Sequence, residues 1–195
     1  MVDLTKWLVS GTAFATLCWR RDVQSAGCIF GAVLNALVAK ILKRVFNAAR
    51  PSGSRLSDPG MPSSHAQSLF FFASYLSVCI VRKSAMDSMW QRTGLSVGLF
   101  YVAALLARQR VLAGLHTMGQ VAVGAGFGTT AGSLWFFFLD FVEPSIHRAV
   151  LSHSLEGDDR RQYTIAVGLF VAAALVVGSV ERVLGRWLKR GRRAE

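Results

Sequence analysis

Cysteine is scarce in this chain, and acidic residues are outnumbered. Its 195 residues include three cysteines, Cys18, Cys28 and Cys79. They are odd in number, scattered, and form no Cys-x-x-Cys pair, which excludes a disulfide frame and a thiolate metal site; they read as small buried hydrophobes. Asp and Glu total 11 against 22 Lys and Arg, for a formal net charge of +11. No Asp, Glu and His combination has metal-ligand spacing, so no metal and no other cofactor is expected. Recognition-helix and zinc-finger patterns are missing too. The positive balance therefore points to anionic membrane surfaces and phosphorylated substrates, not to nucleic acid. The apolar run at the N-terminus is preceded only by Lys6 and followed by no cleavage site, and no long Ser/Arg-rich transit peptide occurs in the chain. That run reads as a short first span rather than a signal peptide.

What is present is hydrophobic. Fully 52% of residues are apolar, arranged in runs that a soluble domain of this size lacks the core to hide. Six candidate spans cover residues 4–19, 23–46, 65–81, 94–107, 117–142 and 163–184. Backbone polar groups in lipid must be satisfied within the segment, so the spans are helices. The fold expected is an all-α, polytopic membrane helical bundle of about six transmembrane helices, a single domain over residues 1–195. Residues 47–61 and 143–162 read as surface connections. Residues 185–195 form a basic tail suited to a lipid surface. Gly124, Gly128 and Gly132 share one face of the fifth span, which lets a neighbouring helix approach closely. Gly124-Ala125-Gly126 is no dinucleotide loop, since no strand precedes it. With six spans, most of the 22 Lys and Arg residues fall on the side of the residue 47–61 loop, which leans that side to the non-translocated face.

Three clusters interrupt the apolar pattern on that one side: Lys43 with Arg50-Pro51; Pro62-Ser63-Ser64-His65; and Arg110 with His116 and Gln120. A phosphate ester repels anionic attack, so a site acting on it must neutralise its oxygens. Lys43, Arg50 and Arg110 can do so without a metal, Arg by two-pronged contact and Lys as a point charge. Ser63 is placed to cap a helix whose free N–H groups face an anion. His65, at that helix end, suits a general acid. His116 suits a nucleophile, and Gln120, four residues on, can orient it. Gly114 is expected to break the helix between Arg110 and His116. Each residue alone also has a plainer reading: Lys43 as a snorkelling helix-end cation, Arg50 as a positive loop residue, Ser63 as a simple cap, His116 as an interfacial histidine.

Together the clusters resemble the signature of the type 2 phosphatidic acid phosphatase superfamily, which also includes the vanadium haloperoxidases: Lys-x6-Arg-Pro, Pro-Ser-Gly-His, and Ser-Arg-x5-His-x3-Asp. The resemblance runs from Lys43 to Gln120. It implies that Lys43, Arg50, Ser63, Ser64 and Arg110 bind phosphate, that His65 is the general acid, and that His116 forms a phosphohistidine hydrolysed by water. Ser64 stands where glycine is usual, Gln109 where serine is, and Gln120 where aspartate is. A glutamine can fix the His116 tautomer but cannot stabilise an imidazolium by charge, so an aspartate at position 120 is expected to give a modest gain in rate. The stretches Asp58-Pro59-Gly60-Met61-Pro62-Ser63-Ser64-His65-Ala66-Gln67-Ser68 and His116-Thr117-Met118-Gly119-Gln120-Val121 resemble the dolichyl-diphosphatase branch and the plastid lipid phosphate phosphatases of the epsilon type. Lys6-Trp7-Leu8-Val9 and Ser133-Leu134-Trp135-Phe136 look more like the latter. The resemblance implies a metal-independent phosphatidate phosphatase in a plastid inner envelope, with a polyprenyl diphosphate as the alternative substrate and the endoplasmic reticulum as the alternative site. Outside that class stand a haloperoxidase and a catalytically weak membrane scaffold.

Overall fold

The computed structural model describes residues 23–54, 56 and 58–152. Four helices make up the described chain: α1 (Val23–Phe46), α2 (Ser64–Lys83), α3 (Met89–Leu112) and α4 (Met118–Ser152). All four are long and apolar enough to cross a membrane, and no strand occurs among the described residues. The expected spans 4–19 and 163–184 and the basic tail lie outside the described residues. Many large apolar side chains face outward, including Val97, Tyr101, Leu134 and Phe141. Lipid accommodates such faces where water would not.

The third of the expected connections is shorter than the sequence suggests, because α3 begins at Met89 rather than residue 94. Arg92 lies within the added turn. Its guanidinium is taken up by main-chain carbonyls: Nη1 donates to Val81 O at 3.1 Å and Nε to Met86 O at 2.8 Å. The helix also runs past residue 107 to Leu112, so Arg108 and Arg110 are helical, not loop residues. Cations in a last turn face the negative end of the helix dipole. Residues 143–152, expected as part of a connection, continue α4 through Pro144. Proline removes one helical hydrogen bond without forcing the helix to end.

The described chain divides into two compact units. In the one that includes residues 23–30 and 143–152, Gln24 Nε2 donates to Glu143 Oε2 at 2.8 Å. The other, Gly31–Val142, carries all three clusters. Its core gathers Ala66, Ala107 and Val121, with Leu69, Phe70 and Val111 packed around them. The glycine face of α4 sets how closely α2 approaches. A Cβ on Gly124 would come within 2.5 Å of Ser63 O, and one on Gly128 or Gly132 would collide with the carbonyl oxygen of Gln67 or Phe71. Backbone lies against backbone along three turns, as small-residue faces permit in lipid. Ser74 Oγ adds a bond to Thr129 O at 2.9 Å. At one buried level Gln67 Nε2 donates to Asn35 Oδ1 at 2.9 Å.

This packing can be tested by one methyl group. Gly128→Ala should lower the melting temperature in detergent, since overpacking a close contact costs about 1–3 kcal/mol. Gly126 lies on the same helix with open space around its Cα, so Gly126→Ala should leave the melt unchanged. Equal melting temperatures for the two variants would contradict the close approach.

Candidate functional site

Alternation of the helices brings the C-terminal ends of α1 and α3 and the N-terminal ends of α2 and α4 to one end of the bundle. The 47–63 loop and the short 113–117 turn close that end. Lys43 and Arg44 are in the last turn of α1. Arg110 is in the last turn of α3, and Ser64 and His65 open α2. After Leu112 the chain reverses at Ala113 and Gly114, the latter at φ 65°. Left-handed backbone suits glycine. The reversal returns the N–H groups of Leu115 and His116 to Arg110 O at 3.1 and 3.3 Å. The helix break expected at Gly114 therefore holds Arg110 and His116 side by side along the chain.

His116 is the centre of the site. It is 3% exposed. Its Nδ1 lies 2.9 Å from Gly60 O and 3.2 Å from Gln120 Oε1. Its Nε2 lies 3.2 Å from Arg50 Nη1. A guanidinium only donates, so Nε2 must present its lone pair and Nδ1 must carry the proton. The neutral ring is thus fixed in the tautomer that a nucleophile attacking through Nε2 requires. Burial, more than any cation, pulls the His116 pKa below the ordinary 6.5; the Arg50 charge adds to the fall, and the bonds to Gln120 and Gly60 oppose it. Desolvation of the charged ring is the larger cause.

Arg50 is fixed on several sides. Nε donates to Asp58 O at 2.8 Å, Nη1 to Leu115 O at 2.7 Å, and Nη2 to Asp58 Oδ1 at 2.9 Å. Lys43 Nζ reaches the other oxygen of the same carboxylate, Oδ2, at 2.6 Å. Burial would raise the Asp58 pKa, but the Lys43 and Arg50 hydrogen bonds and charges outweigh it and hold the carboxyl below its ordinary value. Asp58 is therefore ionised at neutral pH.

Gln120 does more than orient a ring. Gln120 N donates to Thr117 Oγ1 and Thr117 N to Gln120 Oε1, each at 3.2 Å. The pair forms a capping box at the start of α4. Gln120 Nε2 donates to Ala49 O at 2.7 Å, which also settles which amide atom is oxygen. Gln120 O accepts from Ser63 N at 3.0 Å. One residue thus ties together the 47–63 loop, the start of α2 and His116. A Cβ on Gly60 would come within 2.6 Å of the Gln120 amide, so glycine here lets that amide keep its place.

The structure brings Lys43, Arg50, His116 and Gln120 into one hydrogen-bonded group through Asp58 and Gly60. It places Ser63, Ser64 and His65 at the start of α2, joined to that group through Ser63 N and Gln120 O. Ser63 occupies the N-cap position, but its hydroxyl makes no cap bond. That oxygen is buried and unpaired, and so is Arg110 Nε. Buried polar groups without partners carry a cost that a ligand can relieve. Sequence reading missed Asp58, Gly60 and Thr117. Thr117-x-x-Gln120 is a legible capping signature; the other two act through a loop that the sequence does not fold.

The geometry reverses one expectation. An aspartate at position 120 is shorter and has no donor for Ala49 O, so Gln120→Asp should lose rate, not gain it. Gln120→Ala should lower kcat roughly tenfold, in the range for loss of a positioning partner. Its bond to His116 raises the pKa of the ring. Were His116 the nucleophile, the neutral ring would be its attacking form, and activity would fall as pH drops through that pKa. The acid limb of kcat/KM should lie below 6.5 in the wild type and move lower still in Gln120→Ala. An acid limb that moves upward in the variant would remove Gln120 from contact with the nucleophile.

No family model matches the chain, and no solved structure gives a significant match. Among curated proteins, lipid phosphate phosphatase epsilon 2, chloroplastic, of Arabidopsis thaliana is 34% identical over 196 residues, covering 97% of this chain and 62% of that protein. Lipid phosphate phosphatase epsilon 1, chloroplastic, of the same plant is 35% identical over 139 residues, covering 68% and 47%. Human dolichyldiphosphatase 1 is 31% identical over 137 residues, covering 64% and 57%. The chain thus spans roughly half to three-fifths of the length of the relatives it matches.

Proposed function

This chain belongs to the type 2 phosphatidic acid phosphatase superfamily, and from that premise we propose that it removes a terminal phosphate from a membrane lipid. The favoured substrate is phosphatidate, giving diacylglycerol and inorganic phosphate. A polyprenyl diphosphate is the second reading, motivated by the likeness to dolichyldiphosphatase of human and Dictyostelium discoideum origin. The carrying observation is the buried, neutral His116, its Nδ1 proton held by Gly60 O and its Nε2 facing Arg50. A plastid inner envelope is the proposed location, after the chloroplastic relatives, with the endoplasmic reticulum as the alternative.

The phosphate oxygens are taken up by Lys43, Arg50, Arg110, Ser63, Ser64 and the first N–H groups of α2. The unpaired Ser63 Oγ and Arg110 Nε support this set. His116 Nε2 attacks phosphorus as the bond to the lipid oxygen breaks, and His65 donates its proton to the departing alkoxide. The phosphorylated ring keeps its Nδ1 proton on Gly60 O and Gln120 Oε1, which accept it without supplying a full charge. Water then attacks phosphorus, His65 takes a proton from it, and His116 returns to the neutral form as phosphate leaves. The lipid tail lies along the apolar helices, in reach of headgroup-level cations that an anionic surface also contacts.

The test is phosphate release by the purified protein from phosphatidate and from a polyprenyl diphosphate, side by side, with EDTA present. Three cations already fill the electrostatic role a metal would play, so activity should survive the chelator. Loss on chelation with full recovery on adding magnesium would contradict this site. Faster release from the polyprenyl diphosphate would exchange the two substrate readings.

A further inference from the structure

The two cations that head the phosphate site already hold an anion, and it belongs to the chain. One oxygen of the Asp58 carboxylate is 2.6 Å from Lys43 Nζ and the other 2.9 Å from Arg50 Nη2. The side chains of Lys43 and Arg50 are 13% and 5% exposed, and that of Asp58 is 51% exposed. The carboxylate therefore sits on the open side of the pair, with the cations beneath it. Two anionic oxygens, each on one cation, is also how a phosphate would be held. We propose that Asp58 is a resident competitor for the phosphate subsite: a lipid phosphate gains Lys43 and Arg50 by displacing its carboxylate.

Three observations favour displacement over a fixed support. Arg50 does not need the carboxylate to stay in place, because its Nε and Nη1 are held by the main-chain oxygens of Asp58 and Leu115. The carboxylate is half exposed, so rotation of its own side chain returns it to water without leaving a buried charge. An ion pair with one partner exposed is a weak one, within reach of a doubly charged ligand. The consequence is a threshold. A self-occupied site has its affinity for every anion multiplied by the fraction of molecules in which the cations are uncovered, and so lowered. Free inorganic phosphate, including the product, is then held weakly. A substrate anchored by its tail is delivered at high effective concentration in the membrane plane and still displaces the carboxylate.

The proposal rests on the phosphate-site reading above, and the experiment separates the two. Thermal melts of the full chain in detergent are recorded against inorganic phosphate at constant ionic strength, for wild type, Asp58→Asn and Asp58→Glu. The Asn variant should bind phosphate roughly tenfold more tightly, while the Glu variant, which keeps the charge, stays near wild type. Asp58→Ala serves the same purpose should the Asn variant give no melt. In turnover, KM and the inhibition constant for phosphate should fall together in the Asn variant, a change that loss of a mere support would not produce. Phosphate affinity unchanged or weakened in both neutral variants overturns the competitor and leaves Asp58 as a support for the cations. No phosphate-dependent shift in any folded form, wild type included, overturns the phosphate site itself.

Discussion

His116→Ala should abolish phosphate release, with a loss of roughly 10⁴-fold or more, the scale seen when a covalent nucleophile is removed. No neighbouring group can replace it. Arg50 and Lys43 are cations without a lone pair to offer, and Asp58 is a half-exposed carboxylate that a bound phosphate turns out toward water. Gln120 is occupied by Thr117, Ala49 and the His116 ring itself. Inorganic phosphate should still shift the melting temperature of the variant, because the cations remain. His65→Ala should behave differently. With a nitrophenyl phosphate, whose leaving group needs little protonation, its loss should be small, and with a lipid phosphate large. Residual activity of His116→Ala within tenfold of wild type, in folded protein, would place the nucleophile elsewhere.

The second large effect belongs to Arg50. Its guanidinium reaches Asp58 O, Asp58 Oδ1, Leu115 O and His116 Nε2 at once. A lysine has the charge but not the planar fork, so it cannot hold two loop carbonyls while facing the nucleophile. Arg50→Lys should therefore cost nearly as much as Arg50→Ala, about 10²–10³-fold in kcat/KM, the range for losing a transition-state donor. Lys43→Arg should be far milder, since Lys43 acts through one atom on one oxygen. The steady-state rates of the three variants on one lipid substrate decide the matter. Recovery of most activity by lysine at position 50 would reduce Arg50 to a point charge.

Much of this site could be read before any fold was known. Chemistry-bearing side chains with fixed spacing, Lys43 to Arg50 and Arg110 to His116, are written directly in the letters. So is the small face of Gly124, Gly128 and Gly132, because close helix approach demands the absence of a side chain at regular intervals. The extents of α3 and α4 were not legible. Arg92 and Glu143 are charged, and only the folded chain shows the Val81 and Met86 carbonyls and the Gln24 side chain that accommodate them. The second partner of His116 was hidden for a related reason. Gly60 contributes a main-chain oxygen, which every residue possesses, and its letter records only that a Cβ would strike Gln120. Asp58 lies 15 residues from Lys43 across a loop whose path no periodicity fixes. Reading Gln120 only as a substitute for aspartate is too narrow, since its amide nitrogen holds Ala49 O in a way aspartate cannot.

The central claim is that phosphate passes through His116. It is tested most directly by mixing purified protein with a lipid substrate labelled in its terminal phosphate, quenching within one turnover, and asking what the protein carries. A phosphoramidate survives base and is lost in acid. Label that shows this stability, maps to the peptide containing His116, and is missing from His116→Ala is the result expected. Label on a different residue, or turnover at wild-type rate with no labelled protein at any quench time, would contradict the claim and favour direct attack by water.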